Sequence, residues 1–283
     1  MFDLSGKIDP ATVDLLRMVD SIAKESGIRF FIVGAFAKEI LLNIFHGIRT
    51  SRYTEDIDIC IAVDSWADYD VFLESLILKG GYRSKREEQS IFFKGLERKL
   101  DIVPYGFKGT GKITWQNSGN SMDVSVYSLT EIRNVAVRIA QDPELYISCS
   151  SLDSFFIIKL LTWFSMYPDR QKDAIDLFEV MKNYYYTQEA DRYFSEEIFD
   201  KMQLQDFDEL FAGSFMLGSD ISRQFPLELQ QDVLSIVEKS IGESADHNLI
   251  KDAVVPNPFS DYESEYLKSI KAFEYLLQGL KSQ

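Results

Sequence analysis

Arg52-Tyr53-Thr54-Glu55-Asp56-Ile57-Asp58-Ile59-Cys60 is the stretch on which the fold turns, because acidic and apolar residues alternate from Asp56 toward Val63. A period of two belongs to a half-buried strand, in which residues i and i+2 leave the same face. Asp56 and Asp58 therefore point together, about 6.6 Å apart along the strand. Carboxylates so placed repel each other unless a cation lies between them, and a divalent ion with hard oxygen ligands answers that need. Alternating acids also suit the solvated face of an edge strand, and an isolated Asp-x-Asp is a weak motif. The flanking chain therefore has to decide.

Upstream, Val13, Leu16, Val19 and Ile22 recur at helical spacing over 11–23. A β-branched and aromatic run over 29–33 then predicts a buried strand that Gly34 ends. Helical spacing returns over 35–45 and stops at Gly47, and a loop containing Arg52 and Thr54 leads into the acidic strand. A glycine between strand and helix lets the chain turn so that the helix N-terminal amides face a phosphate. An arginine beside a bound triphosphate supplies bidentate contacts. Read blandly, Gly34 is an ordinary turn residue, and Arg52 and Thr54 are solvated.

Downstream, a helix is expected over 65–79, ended by Gly80-Gly81, with neighbouring strands over 90–94 and 99–103 joined by a tight turn at 95–98. A further strand is expected over 122–127. Asp101 is a third acid on an apolar strand, and three such carboxylates suit a pair of Mg²⁺ ions about 3.5–4 Å apart. Phosphoryl-type transfer needs mainly positioning and charge neutralisation, so this small set suffices.

The 283 residues, 46% of them hydrophobic and 13% aromatic, suffice for a core in two ordinary domains. The most apolar run, 155–164, is short and broken by Lys159, so no membrane span is expected. An early acid and the lack of an apolar run behind a basic start argue against a secretory signal, and the expected location is the cytoplasm. Cys60, Cys149, His46 and His247 fall in no zinc spacing, and the cysteines read as buried thiols. Thirty basic against 45 acidic residues give a formal charge of −15, which opposes a broad nonspecific nucleic-acid surface but leaves room for a local basic groove. It suits a cationic small substrate or a basic partner.

The pattern changes near residue 150. The expected division is 1–150, a mixed sheet flanked by helices, and 151–283, an α-helical domain with its strongest segments at 152–164, 170–184, 195–206, 227–239 and 262–280. The fold class is α+β.

These residues resemble the nucleotidyltransferase AbiEii/AbiGii toxin family, within the polymerase-beta-like superfamily. The likeness is carried by Phe31-Ile32-Val33-Gly34-Ala35, by Thr54 before Asp56-Ile57-Asp58, and by Leu100-Asp101-Ile102-Val103-Pro104-Tyr105-Gly106. It continues in Ile158-Lys159-Leu160-Leu161-Thr162-Trp163, in Arg170-Gln171-Lys172-Asp173-Ala174-Ile175-Asp176-Leu177 and in Leu217-Gly218-Ser219-Asp220-Ile221, covering roughly residues 28 to 225. The resemblance implies an N-terminal polymerase-beta-like catalytic domain using Mg²⁺ or Mn²⁺ and a nucleoside triphosphate. Asp56, Asp58 and Asp101 are then the metal ligands, and Gly34, Ala35, Arg52, Thr54 and Lys159 the triphosphate contacts. Asp173 orients Lys159, and Asp176 is a weaker third candidate.

A lysine inside 155–164 is costly unless its ammonium reaches water or an anion. A snorkelling lysine beside an ordinary Lys172/Asp176 pair is the bland alternative. Ala35 departs from the family's Gly or Ser and forfeits a hydroxyl contact to phosphate. Further implications are a tRNA or other RNA acceptor and a cognate antitoxin partner. The charge keeps open an aminoglycoside-like acceptor, and the alanine an inactive nucleotide- or partner-binding module.

Overall fold

The chain opens with a two-residue strand, β1 (Phe2–Asp3), and helix α1 (Pro10–Ser26). α1 starts where the Asp9 carboxylate accepts the Thr12 N–H (2.8 Å), with proline at the first helical position, and it ends at left-handed Gly27. The structure is a computed structural model that describes all but residues 1, 51–53, 85–86, 97, 108–110, 116–117, 203–207, 243–244, 255–260 and 283. Contacts divide the chain into two units, 1–155 and 156–283.

In the first unit, β2 (Phe30–Val33) runs into α2 (Gly34–Lys38). The helical spacing expected to 45 continues as a wider coil over Glu39–Phe45, where the His46 N–H reaches back five residues to the Leu41 carbonyl (3.3 Å). There follow β3 (Asp56–Ala62), α3 (Trp66–Leu78), β4 (Gly81–Arg83), β5 (Ser90–Phe93) and β6 (Lys99–Tyr105). A separate hairpin, β7 (Lys112–Thr114) and β8 (Ser121–Asp123), precedes α4 (Ser125–Thr130).

The strand expected over 122–127 is thus corrected. Only its first two residues extend, because Asp123 accepts both the backbone N–H (2.9 Å) and the hydroxyl (2.6 Å) of Ser125, turning the chain into a helix. Strands β9 (Val135–Gln141) and β10 (Glu144–Cys149) complete the unit. The eight-stranded mixed sheet has the order β1-β9-β10-β2-β3-β6-β5-β4. β3 and β6 lie at its centre, where Ile57, Ile59, Ile61, Leu100 and Ile102 are fully buried. The Tyr69 hydroxyl on α3 donates to the Ile102 carbonyl (3.0 Å), fixing that helix against β6.

α5 (Leu152–Ser165) crosses the division between units. Among its described residues the second unit is helical. It contains α6 (Asp173–Tyr184), α7 (Ala190–Tyr193), α8 (Glu196–Met202), α9 (Glu209–Gln224), α10 (Leu227–Ser240), α11 (Leu249–Ala253) and α12 (Tyr262–Leu280). α9 and α12 approach closely at two glycines. A Cβ at Gly218 would lie 2.2 Å from the Leu276 carbonyl oxygen, and one at Gly279 would lie 2.2 Å from that of Phe215. The motif at 217–221 therefore builds the unit's core, and Asp220 in it accepts from the Tyr184 hydroxyl and the Arg192 guanidinium (2.6 Å each). Among the described residues no helix is long and apolar enough to cross a membrane.

Candidate active site

Two neighbouring strands carry the predicted acids, and a third brings Gly34 beside them. β2 and β3 pair antiparallel with Val33 opposite Asp58, and β3 and β6 pair parallel with Asp58 opposite Asp101 and Asp56 opposite Lys99. Adjacent strands lie about 4.8 Å apart, so Asp58 and Asp101 sit side by side on one face, with Asp56 two residues back along the same edge. All three are half-buried, whereas Ile57, Leu100 and Ile102 behind them are buried.

Gly34 closes the near side of this face. Its φ is +67°, and a Cβ there would lie 2.2 Å from Asp58 Oδ2, so only glycine leaves the carboxylate its position. Gly34→Ala is expected to cost about 1–3 kcal/mol for the left-handed backbone. It also forces Asp58 aside, so activity should fall further than stability does. Thermal melting beside a pyrophosphate-release assay checks this, and an alanine variant matching the parent in both would remove Gly34 from the site.

The Thr54 hydroxyl accepts the Asp56 N–H and donates to the Asp56 carbonyl (both 3.2 Å), so Thr54 sets the start of β3. Ser90, opposite Asp101 on β5, donates its hydroxyl to Asp101 Oδ1 (2.5 Å). The Lys99 ammonium lies 3.2 Å from Asp101 Oδ2, 4.0 Å from Asp56 Oδ2 and 2.8 Å from Glu87 Oε2. Burial pushes the Asp56 carboxyl above its ordinary value, and Lys99 pulls it back while Asp101 and Glu87 raise it. For Lys99, burial alone would lower the ammonium's value, but the Glu87 hydrogen bond and the Asp101 and Asp56 charges outweigh it, and the net shift is upward. Arg52 lies outside the described residues.

Lys159 and Asp173, with Asp176, form a cluster inside the second unit. Lys159 Nζ is 2.8 Å from Asp173 Oδ1 and 3.2 Å from Asp176 Oδ2, and Asp173 is fully buried. Arg170 adds two bonds to Asp173, from Nε at 2.8 Å and from an Nη at 3.2 Å. Asp176 is therefore a partner of Lys159, which the simple i,i+4 alternative did not anticipate.

Lys99, Glu87, Ser90 and Arg170 were missed as participants at the sequence level. Lys99 had a signal, since it stands two residues before Asp101 and shares its strand face; Glu87 and Ser90 had none. Carboxylates on register partners, with a glycine cradle beside one of them, are a donor set that fits a hard divalent cation. As the side chains stand, no group of three or more His, Cys, Asp or Glu among the described residues converges closely enough to hold one.

A strand, a glycine turn and paired acids on adjoining strands of a mixed sheet make up the candidate site, and the family match makes this α+β protein a nucleotidyltransferase. Residues 18–264 match the family described as nucleotidyl transferase AbiEii toxin, type IV TA system, and the chain belongs to that family. A search of curated proteins finds no match. Among solved structures, the chain is similar to the antibiotic-resistance factor ANT(2'')-Ia in solution, at 14% identity and TM-score 0.34, over 57% of this chain and 77% of that one. It is similar also to the Thermotoga maritima CCA-adding enzyme complexed with tRNA, at 18% identity and TM-score 0.33, covering 90% of this chain and 56% of that one. Similarity at these scores carries no weight for substrate or mechanism.

Proposed function

We propose that the protein transfers a nucleoside monophosphate from a nucleoside triphosphate to an acceptor hydroxyl, releasing pyrophosphate, with Mg²⁺ or Mn²⁺ held by Asp56, Asp58 and Asp101. The observation that carries this reading is the register that sets Asp58 beside Asp101, with Gly34 at the end of the neighbouring strand. The ions supply charge neutralisation on the triphosphate and a lowered pKa for the attacking hydroxyl. Gly34 and Ala35 offer backbone N–H groups to the phosphates, and Arg52 offers a cationic contact. Thr54 holds Asp56 in place. Asp173 and Asp176 orient Lys159. Ser90 orients Asp101, which accepts the proton of the acceptor hydroxyl as the new oxygen–phosphorus bond forms and the bond to pyrophosphate breaks.

Family membership supports an RNA acceptor such as tRNA, with an antitoxin as protein partner, acting in the cytoplasm where triphosphates are supplied. A second reading, a cationic small-molecule acceptor of the aminoglycoside kind, is favoured by the net charge of −15. Incubation with each α-labelled triphosphate, Mg²⁺ and either total RNA or an aminoglycoside panel separates them. Label on RNA supports the first reading and label on the small molecule the second. Triphosphate binding with no pyrophosphate release from any acceptor would overturn the catalytic reading in favour of a binding module.

A further inference from the structure

Between the acids that the reaction needs for a metal stands a cation that the chain supplies itself. Lys99 Nζ contacts Asp101 at 3.2 Å and Asp56 at 4.0 Å, and at 2.8 Å it also reaches Glu87, in the segment leading into β5, whose carboxylate lies 2.9 Å from the same Ser90 hydroxyl that bonds Asp101. The parallel register enforces this, because Asp56 and Lys99 are direct partners and Lys99 and Asp101 are two apart on the same face. Lys99 is largely covered (22% of its side chain is exposed), so its charge is poorly screened by water, whereas Glu87 is more open at 42%. Two like charges within contact distance of the same carboxylates strongly oppose one another.

We propose that Lys99 is a built-in counter-ion that competes with the divalent metal for Asp56 and Asp101, and that Glu87 is the acceptor to which its ammonium withdraws when the metal enters. This rests on the metal reading above and adds a displacement step to it. In the metal-free protein Lys99 offsets the repulsion between Asp56 and Asp101. On metal entry the ammonium gives up Asp101 and Asp56 and keeps its shortest bond, the one to Glu87. The convergence of the three acids is then a property of the loaded site, and Lys99 is a positioning residue that tunes how much metal is needed to reach it.

Mn²⁺ binding, measured by electron paramagnetic resonance titration without triphosphate, tests this apart from activity. Lys99→Met is expected to tighten Mn²⁺ binding about tenfold or more, and Lys99→Arg, which keeps the charge, to stay near the parent. Glu87→Gln is expected to weaken binding in the parent and to have much less effect in the Lys99→Met background. If Lys99→Met binds Mn²⁺ no more tightly than the parent, the proposal is overturned. Should Lys99→Met fail to fold without metal, Glu87→Gln alone decides, and unchanged binding there sinks the idea. Parent binding that Asp58→Asn abolishes and Lys99→Met leaves unaltered would remove this inference but keep the metal site. No Mn²⁺ binding by the parent or any variant would remove both.

Discussion

Asp58→Asn is expected to lower metal-dependent nucleotidyl transfer about a thousandfold while leaving the fold intact. The strand register sets Asp58 directly opposite Asp101, and the Gly34 backbone comes so close to its carboxylate that no Cβ fits between them. A metal's charge stabilisation at a transferring phosphoryl group is worth several kcal/mol, and each 1.36 kcal/mol is about tenfold in rate. Asparagine keeps the shape and loses the charge, so packing on β3 persists. The melting temperature should therefore stay close to the parent's. Pyrophosphate release and thermal melting measured on the same preparation give the answer. Activity within tenfold of the parent would mean that Asp58 does not hold the metal.

Asp173→Ala is expected to be strongly destabilising, costing about 3–5 kcal/mol and on the order of 10 °C in melting temperature. Asp173 is fully buried and receives Lys159 at 2.8 Å and Arg170 at 2.8 and 3.2 Å. Removing it takes from the largely covered Lys159 ammonium its 2.8 Å partner and from Arg170 both of those bonds. Breaking one partner of such a pair costs far more than replacing the whole group by apolar residues. Lys159→Met combined with Asp173→Ala should therefore lose less than the sum of the two single changes. Calorimetric melting of the four proteins closes the cycle. A single Asp173→Ala variant melting within about 2 °C of the parent would reduce the cluster to surface decoration.

The strand period at 56–63 and the apolar run ending at Gly34 were legible because each follows from local geometry. Residues i and i+2 share a face in any strand, and a glycine after a buried strand marks a turn. The helix at α1 and the long final helix were legible for the same reason. Beyond the acids, β9 and β10 were passed over although Val135, Val137 and Ile139 alternate on β9 and Leu145, Ile147 and Cys149 on β10. The expected strand over 122–127 failed because one side chain, Asp123, captures Ser125 and redirects the chain, and a propensity reading does not weigh such a bond.

By its alternation the amino-acid sequence determined that Asp56 and Asp58 share a face, that Asp101 stands on another apolar strand, and that a lysine interrupts the apolar helix at 159. Which residues meet across strands was decided by the tertiary structure alone, because register depends on the pairing of segments tens of residues apart. That pairing set Asp58 against Asp101, brought Ser90 to Asp101 and placed the Lys99 ammonium among Asp56, Asp101 and Glu87. Helix packing likewise closed Asp173 and Asp176 around Lys159. Charges buried in pairs need partners within a few ångströms, and only the folded chain selects them.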